Sequence, residues 1–435
     1  MPRSIDADQP APVLWDNSVE AHWPRRIAAF PLTGNDLLGD FCRNEDSLVS
    51  GDFVGGLGRK PVHCHLKSRC NAGFTFEWRA REEGPPSSLP LSLPKFKSMH
   101  VFQLTRALVD IESITGNEAP HVEYLAAYLR PLVAQYDGTL ELIEVEPNRS
   151  NLLVTFGKPL VTLSTHTDTV PPFFASSEDD EFIWGRGACD VKGLLAAMIK
   201  AAEGLLAKGT RNFGLLFVVG EERNSAGAYF MANHPRGSRY VINGEPTSCH
   251  LALGSKGALR FELHASGRMA HSAYPELGES AINKLLDALE RVRKIELPSH
   301  PILGPCTLNI GTLSGGRAPN VIPDAARADV FFRLVDDPTD LRAAVVAACE
   351  GLVEAREILC IPAVHLKPVP GFPTTVVAYT TDIPAFGGAW GEPLLFGPGT
   401  IHVAHTSEER VPKAELLAAV DHYQTLVTQL LAGLA

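Results

Sequence analysis

LVTLSTHTDTVPP, residues 160–172, decides the fold. It opens with a short apolar run of strand type, and the run ends on His166 with Asp168 two positions on. Side chains two apart in extended chain leave on the same face. One can therefore bind a metal while the other hydrogen-bonds the ligand imidazole. An H-x-D pair alone is a weak signal, because short motifs recur in ordinary surface loops. Its weight comes from what stands further along the chain.

Four more stretches carry metal-binding side chains in a fixed order. Asp190 lies in GRGACDVKG, Glu222 in GEERNSAG, Glu245 in NGEP and His405 in GPGTIHVAHTSEE. Each follows or ends a short apolar run, so each can sit at a strand tip. Five nitrogen and oxygen ligands hold two ions only when one carboxylate is shared. That arrangement suits water activation between metals about 3.5–4 Å apart. Asp190 stands where a helix begins, and it could equally be that helix's N-cap. Gly185, Gly187 and Gly193 allow a close, rigid backbone path around it. Cys189 beside it reads as a small packed residue. Glu221 and Glu222 diverge at the end of the apolar run FGLLFVVG, so one can bind metal and the other serve as general base. A buried acidic pair of this kind needs a cation nearby.

Strand and helix patterns alternate around these residues. VFQLTRALVDIES and HVEYLAAYLRPLVAQY read as amphipathic helices, TLELIEVE and NLLVTF as strands, and Val191 to Lys208 as a helix closed by Gly209. The expected fold class is α/β: a mostly parallel sheet with helices on both faces and ligands beyond the carboxyl ends of its strands. Residues 256–367 change pattern. ALRFELHASG, CTLNIGTLSGG, ARADVFFRLV and AVHLKPV read as strands, with helices over Glu279 to Lys294 and Leu341 to Arg356. That βαββαβ order predicts a ferredoxin-like domain inserted into the catalytic one, which spans 99–255 and 368–435. Residues 1–98 lack sustained periodicity and end in a Pro/Ser-rich stretch. They are expected to be disordered or a non-native extension, with Met99 as the natural start. The spacing of His63, Cys64, His65 and Cys70 fits no standard zinc finger.

Composition narrows the function. The chain has 435 residues, 45% hydrophobic and 20% charged, with a net charge of −11. This suits a soluble enzyme and argues against nucleic acid or an anionic membrane as partner. No apolar stretch is long enough to span a bilayer. Eight cysteines without a C-x-x-C pair favour a reducing, cytoplasmic setting.

From Met99 onward the chain resembles the zinc aminoacylase, acetylornithine deacetylase and carboxypeptidase-G metallohydrolases, a family that includes succinyl-diaminopimelate desuccinylase. The resemblance rests on the five ligand motifs and their order, and covers about three quarters of the chain. It implies that His166, Asp190 and Glu245 hold one zinc, and that Asp190, Glu222 and His405 hold the other. Glu221 would be the general base and Asp168 would orient His166. GRMAHSAYPELGESAI is similar to the family segment whose histidine, here His271, enters the partner subunit's site. SGGRAPNVIPD matches the turn whose asparagine, here Asn320, contacts substrate. Arg333 stands where the family often carries an arginine for a substrate carboxylate. Two Zn2+ (or Co2+ or Mn2+), a homodimer and an N-acyl amino acid substrate follow, with acetylornithine first. A desuccinylase, a citrulline or lysine-type deacylase and a di- or tripeptidase stand as alternatives, and a non-catalytic binding module as the reading from another class.

Overall fold

The computed structural model describes residues 50–57, 60–67 and 98–434. The chain divides into two units, 1–90 and 91–435. In the first, Ser50–Leu57 and Lys60–Lys67 form an antiparallel pair with Gly55 opposite Val62. The rest of the expectation for 1–98 falls outside the described residues.

In the second unit a six-stranded sheet carries the chemistry. Its order is Glu392–Leu395, Tyr240–Asn243, Val161–His166, Phe213–Val218, Arg149–Phe156, Thr139–Glu146. The first four strands run parallel, while Arg149–Phe156 and Thr139–Glu146 add antiparallel, so the sheet is mixed. Side chains alternate between its faces, as the strand repeat demands. Leu152, Val154, Leu215 and Phe217 face one core, and Leu153, Leu216 and Val218 the other. Helices Val101–Val109, Ala119–Gln135, Gly193–Ala207 and Lys413–Ala432 cover the first face. Ala226–Ala232 and Ile383–Phe386, with Trp390, cover the second. Gly193–Ala207 is nearly all Ala, Leu, Met and Ile, strong helix formers. Apart from the Lys200–Glu203 pair it is apolar over most of its surface, and the C-terminal helix packs on its far side. Gly209, at φ 83°, closes it.

Residues 257–361 build a second layer with its own core. Its antiparallel sheet has the order Thr307–Gly315, Ala325–Leu334, Gly257–Ser266, Glu354–Ile361. Helices Ala281–Arg293 and Thr339–Cys349 contribute Leu285, Leu289, Leu341 and Val345 to the core on one face of it. Arg260, Glu262, Asp329 and Arg333 alternate with the core-facing residues and lie on the other. The two crossings to the first layer are tied together. Leu251–Ser255, on the way out, pairs with Val364–His365 and Thr374–Val377 on the way back.

One expected element differs. The helix expected over 341–356 ends at Cys349, and the fourth strand of this sheet is Glu354–Ile361 rather than AVHLKPV. Gly351, at φ 77°, turns the chain between them. The apolar and charged residues of EAREILCI look helical in isolation, but pairing along Gly257–Ser266 decides the matter. Only Val364–His365 of the expected strand is extended.

Candidate metal centre

The carboxyl ends of three parallel strands converge on one spot. Val161–His166 ends on His166 itself. Phe213–Val218 runs into the turn holding Glu221 and Glu222, and Tyr240–Asn243 is followed by Glu245. Asp190 arrives on the tight turn before the 193–207 helix, where Gly187 (φ 85°) has the Lys192 side chain packed against it. His405 arrives on the loop before the C-terminal helix, with its backbone in the left-handed region at φ 61°. That region is uncommon for a residue with a side chain and is held by the surrounding turn.

Asp190 lies between two histidines. Its Oδ1 is 3.1 Å from His166 Nε2 and its Oδ2 is 3.3 Å from His405 Nε2. Glu222 Oε2 is 3.0 Å from the same His405 nitrogen. Ligand atoms of His166, Asp190 and Glu245 lie within 4.8 Å of one another, and so do those of Asp190, Glu222 and His405. The two groups share Asp190 and nothing else. One oxygen of Glu245 is buried with no hydrogen-bond partner, although a buried carboxylate is costly to leave unanswered. A divalent cation answers it. The donor set, two imidazoles with carboxylates, suits zinc and equally manganese or cobalt.

The electrostatics point the same way. Burial pushes the Glu221 and Glu245 carboxyls well above the usual range, and each is pushed further by neighbouring acids. Burial also raises Glu222, with His405 opposing. Burial works against the ionised forms of His166 and Asp190, but hydrogen bonds outweigh it. His166 is held well above the ordinary imidazole value by Asp168 and Asp190, and Asp190 well below the carboxylate range by His166 and His405. A buried acidic cluster of this kind calls for positive charge nearby.

Asp168 does more than face His166. The His166 Nδ1 donates to the Asp168 carbonyl at 3.0 Å, and the Asp168 carboxylate lies 3.5 Å away. That carboxylate accepts the backbone N–H groups of Gly220 (3.0 Å), Glu221 (3.1 Å) and Glu222 (3.2 Å) and the Thr115 hydroxyl (2.8 Å). It therefore fixes the turn from which both glutamates project.

The other expected residues lie in the second layer. His271 and Val321 pair across two short strands, and Ser272 N donates to the Asn320 carbonyl at 3.0 Å, so His271 and Asn320 sit together. The one hydrogen bond to the His271 ring comes from Ala273 N, and no contact joins it to the metal residues of its own chain among the described residues. Arg333 is half-buried over the Phe331 ring at 4.9 Å. It has no ion-pair partner among the described residues.

Two acids at the centre carried no such expectation. Asp382 is buried just before the Ile383–Phe386 helix, and neither of its carboxylate oxygens has a hydrogen-bond partner of good geometry among the described residues. Burial pushes it up to about 7. Glu409 is fully buried and pairs with the buried Arg186. Glu409 is the last residue of the GPGTIHVAHTSEE stretch and Asp382 lies outside every motif; the burial of both depends on long-range packing that no local pattern announces.

Fold and side chains together define a hydrolase with a two-metal active site. The model of peptidase family M20/M25/M40 matches residues 162–429, and the chain belongs to that family. A peptidase M20 domain-containing protein of Schizosaccharomyces pombe is 37% identical over 342 residues, covering 75% of this chain and 84% of its own. A probable carboxypeptidase of Aspergillus clavatus is 39% identical over 372 residues, covering 74% and 80%. Among solved structures, the aminopeptidase PepT of Bacillus cereus matches 76% of this chain and 98% of its own at TM-score 0.64 and 19% identity. The M20 family metallo-carboxypeptidase Sso-CP2 of Sulfolobus solfataricus matches 75% and 98% at TM-score 0.60 and 16% identity. At those identities the likeness is one of fold. No helix among the described residues is long and apolar enough to cross a membrane.

Proposed function

We propose that the protein hydrolyses an amide bond whose amine side carries a free carboxylate, as in an N-acyl amino acid or the C-terminal end of a peptide. The observation that carries this is the pair of Asp190 oxygens aimed at two separate histidines. Two divalent ions held by His166, Asp190 and Glu245 and by Asp190, Glu222 and His405 would supply Lewis-acid polarisation and a more acidic water. Glu221 lies on the same turn with a raised carboxyl pKa, which suits a general base that later returns the proton to the leaving amine. Asp168 keeps Glu221 in place through its backbone N–H.

The Arg333 guanidinium, which has no ion-pair partner among the described residues, supports the carboxylate. Such a planar fork suits a planar anion brought by substrate. His271 would enter from a second copy of the chain and stabilise the oxyanion, with Asn320 beside it contacting substrate. That makes a homodimer the working unit and the 257–361 layer a ferredoxin-like lid that mediates it. Acetylornithine, first choice on the resemblance, fits this class. Curated relatives named as probable carboxypeptidases favour its peptidyl members.

The test is amine release from N-acyl amino acids and short peptides, each offered with a free and an amidated C-terminus. Chelator-sensitive cleavage confined to free carboxylates is expected. Equal cleavage of amidated substrates would remove Arg333 from its role, and no cleavage by fully loaded protein would favour a binding module.

A further inference from the structure

Glu409 contacts no atom of the proposed reaction, yet its carboxylate is a direct link between two ligand-bearing segments. Its Oε1 accepts from the backbone N–H groups of Gly187 (2.9 Å), Asp190 (3.1 Å) and Cys189 (3.3 Å). Its Oε2 is paired with Arg186 Nη1, and Arg186 Nε in turn donates to the Pro172 carbonyl at 3.2 Å. Its own carbonyl accepts from Gly185 N at 3.1 Å. Three successive contacts with residues 187–190 leave the Asp190 backbone little freedom to turn. Gly185 and Gly187 have positive φ, so the loop has no steric stiffness of its own at those two points.

The other end of the link is the His405 loop. Glu409 lies one helical turn's length beyond His405, after turns closed by Val403 N to the Thr400 carbonyl and by the Thr406 hydroxyl to the Val403 carbonyl at 2.7 Å. Asp190 and Glu409 are 219 positions apart in sequence. With the Cys189 Sγ contact to the Thr400 carbonyl (3.4 Å) and the pairing of Arg410 with Trp184, the carboxylate therefore helps to set the separation of Asp190 from His405, two of the three ligands at one position. At the other position, His166 and Glu245 are carried by sheet strands that Glu409 does not touch.

We propose that Glu409 is a positioning residue that locks the Asp190 loop to the His405 loop, and so controls metal affinity at the Asp190–Glu222–His405 position more than at the His166–Asp190–Glu245 position. This rests on the two-ion assignment, and the experiment separates the two. Glu245→Ala and His405→Ala each leave one three-ligand position. Co2+ is titrated into each metal-free variant and followed by its visible absorption, which reports coordination directly. Glu409→Gln is then added to both. The isosteric amide must direct donors at Arg186 or at the loop N–H groups, so one side of the link fails. Outer hydrogen-bond partners of ligands typically change metal affinity about 10–100-fold. The expected result is a loss of at least about tenfold in the Glu245→Ala background and under about threefold in the His405→Ala background. Equal losses in both, or none in either, overturn the proposal. Failure of the parent variants to bind Co2+ at all would instead overturn the two-ion assignment. Should Glu409→Gln not fold, as judged by circular dichroism without metal, Glu409→Asp keeps the charge and withdraws the oxygen from the loop. The same asymmetry is expected of it.

Discussion

Replacing Asp168 by Asn tests whether this carboxylate is mainly an anchor for the 220–222 turn. The wild-type group is ionised: burial alone would raise its pKa, but His166 and the Thr115 hydroxyl outweigh that and hold it below the usual range. Its two oxygens accept four hydrogen bonds. The asparagine does least harm with its NH2 toward Thr115, whose hydroxyl can reverse and accept. Even so, Glu222 N loses its acceptor, at a cost of about 1–3 kcal/mol for a buried donor. Three remaining bonds fall from charge-assisted to neutral, at roughly 0.5–1 kcal/mol each. The sum is about 2.5–6 kcal/mol, measured as the difference in urea unfolding free energy between metal-free wild type and variant at pH 7. The sign with pH is fixed by the direction of the shift. A depressed carboxylate contributes stability above its unfolded pKa of about 3.9, and loses it as pH falls through the lower folded value. The gap between the two proteins should therefore close in acid. A difference under about 1 kcal/mol, or one that grows in acid, would refute the anchoring role.

Further outcomes follow from His405, Glu221 and Arg333. Hydrogen bonds donated to the Asp190 and Glu222 carboxylates raise the metal-free His405 ring to about 10, so at pH 8 it is protonated and must give up that proton to bind an ion. Calorimetry in buffers of different ionisation enthalpy should show at least one proton released as the Asp190–Glu222–His405 position fills, and none released would contradict the ligand assignment. The same raised pKa means that His405 adds stability to the metal-free protein below about 6.5, lost as pH climbs through about 10. Glu221→Gln should bind two equivalents of metal normally and lose about 10²–10⁴ in turnover, measured with any substrate found by the amine-release screen. Arg333→Met should raise KM for substrates with a free carboxylate and leave kcat nearly unchanged, the pattern of lost ground-state binding; an equal fall in kcat would give Arg333 a role in the chemistry instead.

Much of the catalytic layer was legible in the sequence because burial there is local. The run ending at Val218 is continuously apolar, and those ending at His166 and Asn243 carry apolar residues within short stretches that are buried at nearly every position, as a strand covered on both faces should be. Where each run stops, the next polar residues stand at the strand tip, which is why the ligand motifs could be named from their order. The antiparallel half of the sheet was less visible. Thr139–Glu146 alternates acid and apolar residues in either direction, and nothing in it records that its neighbour runs the opposite way. The Thr339–Cys349 helix was extended too far for a related reason. EAREILCI is compatible with both a helix and an edge strand, and the partner that decides, Gly257–Ser266, lies far away in sequence.

The same distinction separates the ligands from their supports. A metal ligand at a strand tip is marked by the strand; a residue that holds a ligand is marked only by what it touches. Glu409 follows Glu408 in a loop, and in sequence the pair looks like any solvated acidic turn. Folded, Glu408 is exposed while Glu409 is fully buried against three loop N–H groups and Arg186. A buried, hydrogen-bonded ion pair is costly to assemble and rarely pays through stability alone. Removing one partner would strand the other, so the pair is kept together or lost together. At this position the cost has a local use: it holds the Asp190 loop against the His405 loop.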